Sequence, residues 1–295
     1  MSFISFLSLS IRKFVVLALV IFVAAGFATT SLAQQQTPPD KSGSSGQGSS
    51  AQGSSAQGST AQGAQAAPAP PKLNPKEEAD YKALKAIPDG DASTADKKIQ
   101  MSQQFLQSYP DSRYQESIYN QLVSAYYAKQ DWISFYANAD RVLGIDPDDV
   151  DVLTVVGWVI PHLYNKDDPD ADKKLDRAAN YEKHAIEVIP TLAKPDSLTD
   201  EQFAQAKQGK LSEAHSGLGL IYFRKQDFDN SVKELQLATQ DNSSPDPTDL
   251  FALGIGLQQL SRNGEAADAF AKCGEIPGNL QARCKQSADQ AKSAK

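Results

Sequence analysis

Two cysteines, Cys273 and Cys284, are the only thiols in this 295-residue chain. An even number of cysteines in an exported protein favours pairing, and the N-terminus discussed below predicts export. Cys273 ends a predicted helix, residues 274–278 form a turn, and Cys284 would face it about one turn into the next helix. The alternative is that Cys273 fills a small buried position as a free thiol. We predict the disulfide.

Other residues that could carry chemistry are few. His162, His184 and His215 fall on three different predicted helices, whereas a metal site needs such residues to converge with carboxylates. Four aspartates at positions 167–172 lack the glycine and terminal glutamate of a calcium loop. The sequence contains no zinc-protease, nucleophile-elbow or phosphate-binding motif. We therefore predict that the protein is not an enzyme and has no metal or cofactor.

The C-terminal part of the chain is internally repeated. Six positions recur thirty-five residues later: Leu218, Gly219, Tyr222, Ser231, Leu235 and Ala238 return as Leu253, Gly254, Leu257, Ala266, Phe270 and Cys273. A period in the thirties indicates stacked helical repeats, none of which can bury its apolar face alone. A glycine inside a helix costs about 1 kcal/mol relative to alanine, so close approach of a second helix must offset it. We expect the small residues to allow this approach, with Leu235 and Phe270 filling the space between repeats.

This pattern resembles the tetratricopeptide repeat, in which Leu-Gly and an aromatic residue are followed by small, Phe and small residues on a second helix. The resemblance implies an all-α fold, a right-handed superhelical solenoid of antiparallel helix hairpins, over residues 73–295. The turn at positions 129–132, Lys-Gln-Asp-Trp, nearly repeats Lys-Gln-Asp-Phe at 225–228 and sets the register of an earlier hairpin. Bulky Phe135 at a small position and Glu182 at the Phe position depart from the family.

Several features frame the repeats. The first hairpin is degenerate, and the polar segment 279–294 suits a C-terminal capping helix. Pro161 should kink or end its helix. Residues 197–201 look like a helix start, and we expect that helix to run on past Leu218 and to be unusually long.

The resemblance also implies a concave groove, lined by the first helix of each hairpin, that takes a peptide or a partner helix. The predicted groove residues are Asn120, Tyr127, Trp158, Phe223, Arg224, Phe251 and Ile255. Aromatic side chains with few charges favour an apolar or helical ligand. Family members that grip a C-terminal carboxylate use repeated Asn and Lys residues, of which only Asn120 and Arg224 could serve here. For each ring, the alternative is a place in the core.

Residues 1–33 read as a secretory signal peptide. Arg12 and Lys13 precede an apolar run at 14–27, which is shorter than the ~20 residues that span a bilayer, and Ser31-Leu32-Ala33 offers a cleavage site. An uncleaved membrane anchor is the alternative. Residues 34–72 are rich in Gly, Ser, Gln and Pro and lack bulky apolar residues, so we predict a disordered linker.

The chain carries a formal net charge of −7, and its basic residues are dispersed among acids. Such a chain is a poor candidate for binding nucleic acid or an anionic membrane surface. The sequence thus predicts an exported scaffold, periplasmic or extracellular, that binds a protein or peptide without inserting into the membrane after signal cleavage. Alternatives are an accessory or regulatory subunit of an envelope enzyme, or a scaffold that keeps its N-terminal helix as an anchor.

Overall fold

A computed structural model describes residues 74–240 and 242–294, and within these ranges the protein is all-helical, as predicted. There are eleven α-helices and no strands in this part of the chain. The helices are α1 Pro75–Lys85, α2 Ala92–Ser108, α3 Gln115–Lys129, α4 Trp132–Ile145, α5 Val150–His162, α6 Ala171–Val188, α7 Asp200–Arg224, α8 Phe228–Thr239, α9 Pro247–Gln259, α10 Asn263–Glu275 and α11 Gln281–Ser293. A 3-10 turn, Ile189–Thr191, follows α6. The predicted signal peptide and linker lie outside the described residues.

Consecutive helices pack in pairs. The pairs α3 with α4, α5 with α6, α7 with α8, and α9 with α10 are in extensive contact, and α11 packs on α10. Residues 163–170 join α5 to α6, whereas the connections in the other three pairs are shorter. Helix α7 is the longest of the described helices, at 25 residues, which confirms the predicted long helix. It starts at a capping box in which Thr199 and Gln202 bond each other's backbone amides, satisfying two free donors. Helix α5 ends at His162, one residue after Pro161, as expected from that proline.

Three hairpins share one turn. Gln130, Gln226 and Ser261 all adopt the left-handed conformation, with φ of 57°, 60° and 60°. In each hairpin the next residue donates its amide to a carbonyl five residues back: Asp131 to Tyr126 (3.0 Å), Asp227 to Tyr222 (3.0 Å) and Arg262 to Leu257 (2.8 Å). The register that the sequence derives from the turns at 129–132 and 225–228 is therefore confirmed.

The helical glycines lie under bulky side chains of the partner helix. A Cβ at Gly219 would lie 2.7 Å from Leu235 Cγ, and one at Gly254 would lie 2.5 Å from Phe270 Cε1. Ser231 Oγ also donates to the carbonyl of Gly219 at 2.9 Å, so this small residue does let the helices approach. One expectation needs correction: Leu235 and Phe270 fill the space inside their own hairpins, where the absent Cβ leaves room for them.

Glu182 takes the equivalent place in the α5–α6 hairpin. Its side chain is fully buried, and its carboxyl group lies where a Cβ of Gly157 would be. A Cβ at Gly217 of α7 would overlap the same carboxyl group. The buried acid therefore sits where α5, α6 and α7 meet, in the position that Leu235 and Phe270 occupy in the later hairpins.

Two hairpins are each linked to the preceding hairpin by a lysine next to the turn. Lys129 forms an ion pair with Asp96 of α2, and Lys225 forms one with Asp176 of α6. Both pairs are partly exposed, so each contributes little to stability. They show a repeated geometry, because equivalent lysines in two hairpins both contact the second helix of the preceding hairpin.

Candidate functional site

Two of the predicted groove residues, Asn120 and Arg224, form hydrogen bonds to a neighbouring first helix. Asn120 of α3 donates from Nδ2 to Asp149 Oδ2, at the start of α5, over 2.8 Å. Arg224, at the end of α7, donates from Nε to the carbonyl of Pro161 in α5 over 3.0 Å. Ser216 of α7 donates to Asp249 of α9 over 2.8 Å. These polar side chains thus join neighbouring hairpins.

Two of the predicted rings belong to the core. Tyr127 and Trp158 are only 4% and 7% exposed and lie in the same apolar cluster. The indole of Trp158 also contacts the His162 imidazole, with ring centroids 3.8 Å apart and the rings tilted by 31°. In this structure neither ring can anchor a partner without a rearrangement of α5 or α3.

The other three apolar residues of the predicted groove are half-buried. Phe223, Phe251 and Ile255 all pack from outside against one core cluster of α7 to α11. Phe223 makes an edge contact with Phe228 at 6.0 Å between centroids, and Phe251 lies 5.5 Å from Phe270. We call Phe223, Arg224, Phe251 and Ile255 the α7–α9 surface.

Aromatic and arginine side chains border this surface. The Arg283 guanidinium lies 4.8 Å from the centre of the Phe251 ring, and the Arg224 guanidinium lies 5.7 Å from that of Tyr164. Such cation–π contacts hold a charged group beside an apolar one. Sequence reasoning missed Arg283 and Tyr164. Arg283 adjoins Cys284, so the predicted disulfide was a signal that it would lie near the last hairpin.

Asn120 forms its hydrogen bond with a buried carboxyl group, that of Asp149. Asp149 is the N-cap of α5, is 7% exposed, and accepts from the Val152 amide at 3.0 Å as well as from Asn120. Burial raises the pKa of Asp149 to about 6, with a further contribution from nearby Asp151 and Glu116, although its hydrogen bonds oppose the shift. Asn120 therefore serves this acid and Arg224 serves Pro161, so both residues predicted as candidates for gripping a terminal carboxylate are engaged in contacts within the fold.

Two buried lysines are structural. Lys210 of α7 forms ion pairs with Asp151 of α5 and with Glu213, at 3.4 Å from the latter. Burial lowers the pKa of Lys210, but the two carboxylates outweigh burial and raise the pKa above its ordinary value. For Lys98 of α2, burial prevails over its Asp89 partner and lowers the pKa. A lysine among polar neighbours gives no sequence signal of such burial.

The histidines lie apart and two of them have carboxylate partners. His184 Nε2 lies 2.7 Å from Asp148 Oδ1, and His215 Nδ1 lies 2.7 Å from Glu234 Oε2. Within residues 74–240 and 242–294, no group of His, Cys, Asp and Glu side chains is arranged to hold a metal ion. In the same ranges no helix has the length and apolar character needed to cross a bilayer.

Cys273 and Cys284 form a disulfide in this structure, with their Cα atoms 5.7 Å apart. The bond joins α10 to α11 and lies against Leu250 of α9. It is the one disulfide in the described part of the chain.

No protein-family model and no curated protein matches this chain.

Proposed function

We propose that this protein is a protein-binding scaffold whose hairpins stack as tetratricopeptide-like repeats into a right-handed superhelical solenoid. The observation that supports the proposal best is the turn shared by three hairpins, at Gln130, Gln226 and Ser261. The hairpins with turns at Gln226 and Ser261 also share the packing of a bulky side chain over a glycine, and such like hairpins can stack in register. Stacked hairpins of this kind create extended surfaces that suit binding of another protein.

The α7–α9 surface is the proposed binding site. It presents half-buried phenylalanine rings beside arginines, and aromatic and arginine residues are both enriched at protein interfaces. Half-buried rings are already held by the core, so ordering them on binding costs little side-chain entropy. The partner we propose is a protein or peptide with apolar side chains that cover Phe223 and Ile255.

Replacing Phe223 by alanine is expected to weaken partner binding about tenfold or more, because truncating an aromatic ring at the centre of an interface typically costs that much. The partner would be isolated by cross-linking and pull-down with the full chain, and the affinity of the purified pair would then be titrated. Ile133→Ala is the matched control, since Ile133 is 86% exposed on α4, away from the proposed site.

The control variant should bind like the wild type, and both variants should keep their helical circular dichroism. Equal affinity of Phe223→Ala and wild type would place the site elsewhere. Loss of helical structure in Phe223→Ala would show that the ring serves the core.

We also propose that the protein acts outside the cytosol, after cleavage of residues 1–33. A disulfide between α10 and α11 is compatible with an oxidising compartment. Mass spectrometry of the protein from its native source is expected to find the N-terminus at Gln34 or within a few residues of it. An intact Met1 in a membrane fraction would instead support the uncleaved anchor.

A further inference from the structure

Helix α11 is held in place by very little apolar surface. Its buried side chains are Cys284, Ala288 and Ala291, and the rest of the helix is polar except for exposed Ala282 and is largely exposed. By contrast, α9 of similar length buries Leu250, Leu253 and Leu257. Because the stabilisation from burial grows with the apolar area removed from water, α11 gains far less from docking than the helices before it.

The face that α11 covers is strongly apolar. Ala288 and Ala291 belong to the same cluster as Leu253 and Phe270, and Cys284 packs with Leu250. The stem of Arg283 brings its guanidinium over Phe251. If α11 left, parts of this α9–α10 face would come into contact with water, or with another protein.

We therefore infer that the disulfide is the main interaction that holds α11 on α10. Both cysteine side chains are fully buried, and the bond closes a loop of 11 residues. Closing such a loop favours the docked arrangement by a factor on the order of 100 over the open chain. At the far end of the helix one hydrogen bond, from Asn263 Nδ2 to the Ala294 carbonyl at 2.9 Å, is exposed and adds little.

We propose that the Cys273–Cys284 disulfide is a redox latch: oxidised, it keeps α11 docked, and reduced, it releases α11 and uncovers the α9–α10 face. The latch goes beyond the proposed scaffold function and can be tested without a partner. Its consequence for function is that the redox state sets whether the last hairpin is closed or open to a further helix.

The reductant would be a dithiol. Its thiolate attacks one sulfur, the Cys273–Cys284 bond breaks, and a mixed disulfide forms while the other cysteine leaves as a thiolate. The second thiolate of the dithiol then attacks the mixed disulfide. The protein gains two electrons and two protons as two thiols, and the dithiol becomes a disulfide. Since both sulfurs are buried, α11 must open before the first attack.

Hydrogen exchange followed by mass spectrometry tests the latch on the full chain. We compare the oxidised protein, the protein reduced with dithiothreitol, and the double variant Cys273→Ala/Cys284→Ala. Peptides covering residues 281–293 should exchange about fifty-fold faster or more in the reduced protein and in the double variant, as expected from loss of the loop closure. Peptides covering α3 to α9 should change less than twofold.

Three results would overturn the proposal. Unchanged protection of residues 281–293 after reduction would show that α11 docks without the bond. Loss of protection in α3 to α9 as well would show that the bond holds the whole fold and does not act as a latch. Two free thiols in the unfolded, unreduced protein would show that the bond does not form.

The kinetics of reduction provide a second measurement. If opening comes first, the reduction rate should level off at high dithiothreitol concentration at the opening rate. Ala291→Gly, which weakens α11 without touching a sulfur, should raise that plateau several-fold because glycine disfavours the helix. A rate that rises linearly without levelling, and that Ala291→Gly leaves unchanged, would show attack on the closed state and would contradict the opening step.

Discussion

Gly254→Ala is expected to lower the free energy of unfolding by about 2 kcal/mol, although alanine is the better helix former. The added methyl group would lie 2.5 to 2.7 Å from three atoms of the Phe270 ring. That ring is fully buried and has Phe251 5.5 Å from its centre, so it cannot move aside without disturbing the core. The cost of overpacking therefore exceeds the gain in helix propensity.

Gly209→Ala is the matched control. Gly209 also lies inside a helix, α7, but it is exposed and a Cβ there would meet nothing within 4 Å. Here only the propensity changes, so the substitution should raise the free energy of unfolding by about 0.5 to 1 kcal/mol. Urea unfolding of both variants measures the two effects, and a stabilised Gly254→Ala protein would contradict the packing described for the α9–α10 hairpin.

The sequence carried a signal of this packing in the last two hairpins, although the sequence analysis placed Leu235 and Phe270 between repeats. Gly219 and Gly254 each precede their bulky partner, Leu235 or Phe270, by sixteen residues, and a repeated spacing implies a repeated contact. In the α5–α6 hairpin the insertion at 165–172 lengthens the spacing from Gly157 to Glu182 to twenty-five residues. The repeat pattern still placed Glu182 at the position equivalent to Leu235 and Phe270. Its contact with a second glycine, Gly217 of the next hairpin, could not be predicted, because no repeated spacing relates the two residues.

Burial of the groove residues could not be predicted in the same way. Trp158 and Phe223 are both aromatic residues on first helices, yet one is 7% exposed and the other is half-buried. The difference depends on how the following first helix covers each ring, which involves residues thirty or more positions away. Periodicity within one helix identifies its apolar side but not which part of that side a neighbour covers.

The third turn shows the same limit at the backbone. Ser261 adopts the left-handed conformation of Gln130 and Gln226, but the sequence around it does not resemble the Lys-Gln-Asp sequence of the other two turns. A left-handed residue is determined by the bonds that the two helix ends make across the turn, here Arg262 to Leu257. Different side chains can therefore occupy one backbone geometry, and the six-position repeat was the better guide.

Asp149→Asn is expected to stabilise the protein at neutral pH by about 2 kcal/mol, because it removes a buried charge. The pKa of Asp149 is about 6 in the folded protein, against an ordinary value of about 3.9 in the unfolded chain. Between these values the folded protein holds a proton that the unfolded chain has released. The contribution of this group to stability is thus fully present below about pH 4 and is lost as the pH rises through 6.

The asparagine side chain keeps the oxygen that accepts from the Val152 amide, and asparagine is as good an N-cap as aspartate. The amide of Asn120 can turn to accept from the new amide, which preserves the contact between α3 and α5. The gain in the free energy of unfolding should consequently be largest above pH 6 and should disappear toward pH 4, where the aspartate is itself neutral in the folded state.

Asp91→Asn is the control, because Asp91 is the N-cap of α2 and accepts from the Ser93 amide at 2.8 Å, but is exposed. The backbone hydrogen bond from Ser93 lowers the pKa of Asp91, so the stability it contributes is present above its ordinary pKa and is lost as the pH falls. Asp91→Asn should therefore give no gain in stability at any pH.

Urea unfolding from pH 4 to 8 separates the two variants. A gain in stability from Asp149→Asn that is independent of pH would mean that its cause is not the charge of Asp149. A loss of stability at pH 7.5 would show that α5 needs the carboxylate at its N-terminus.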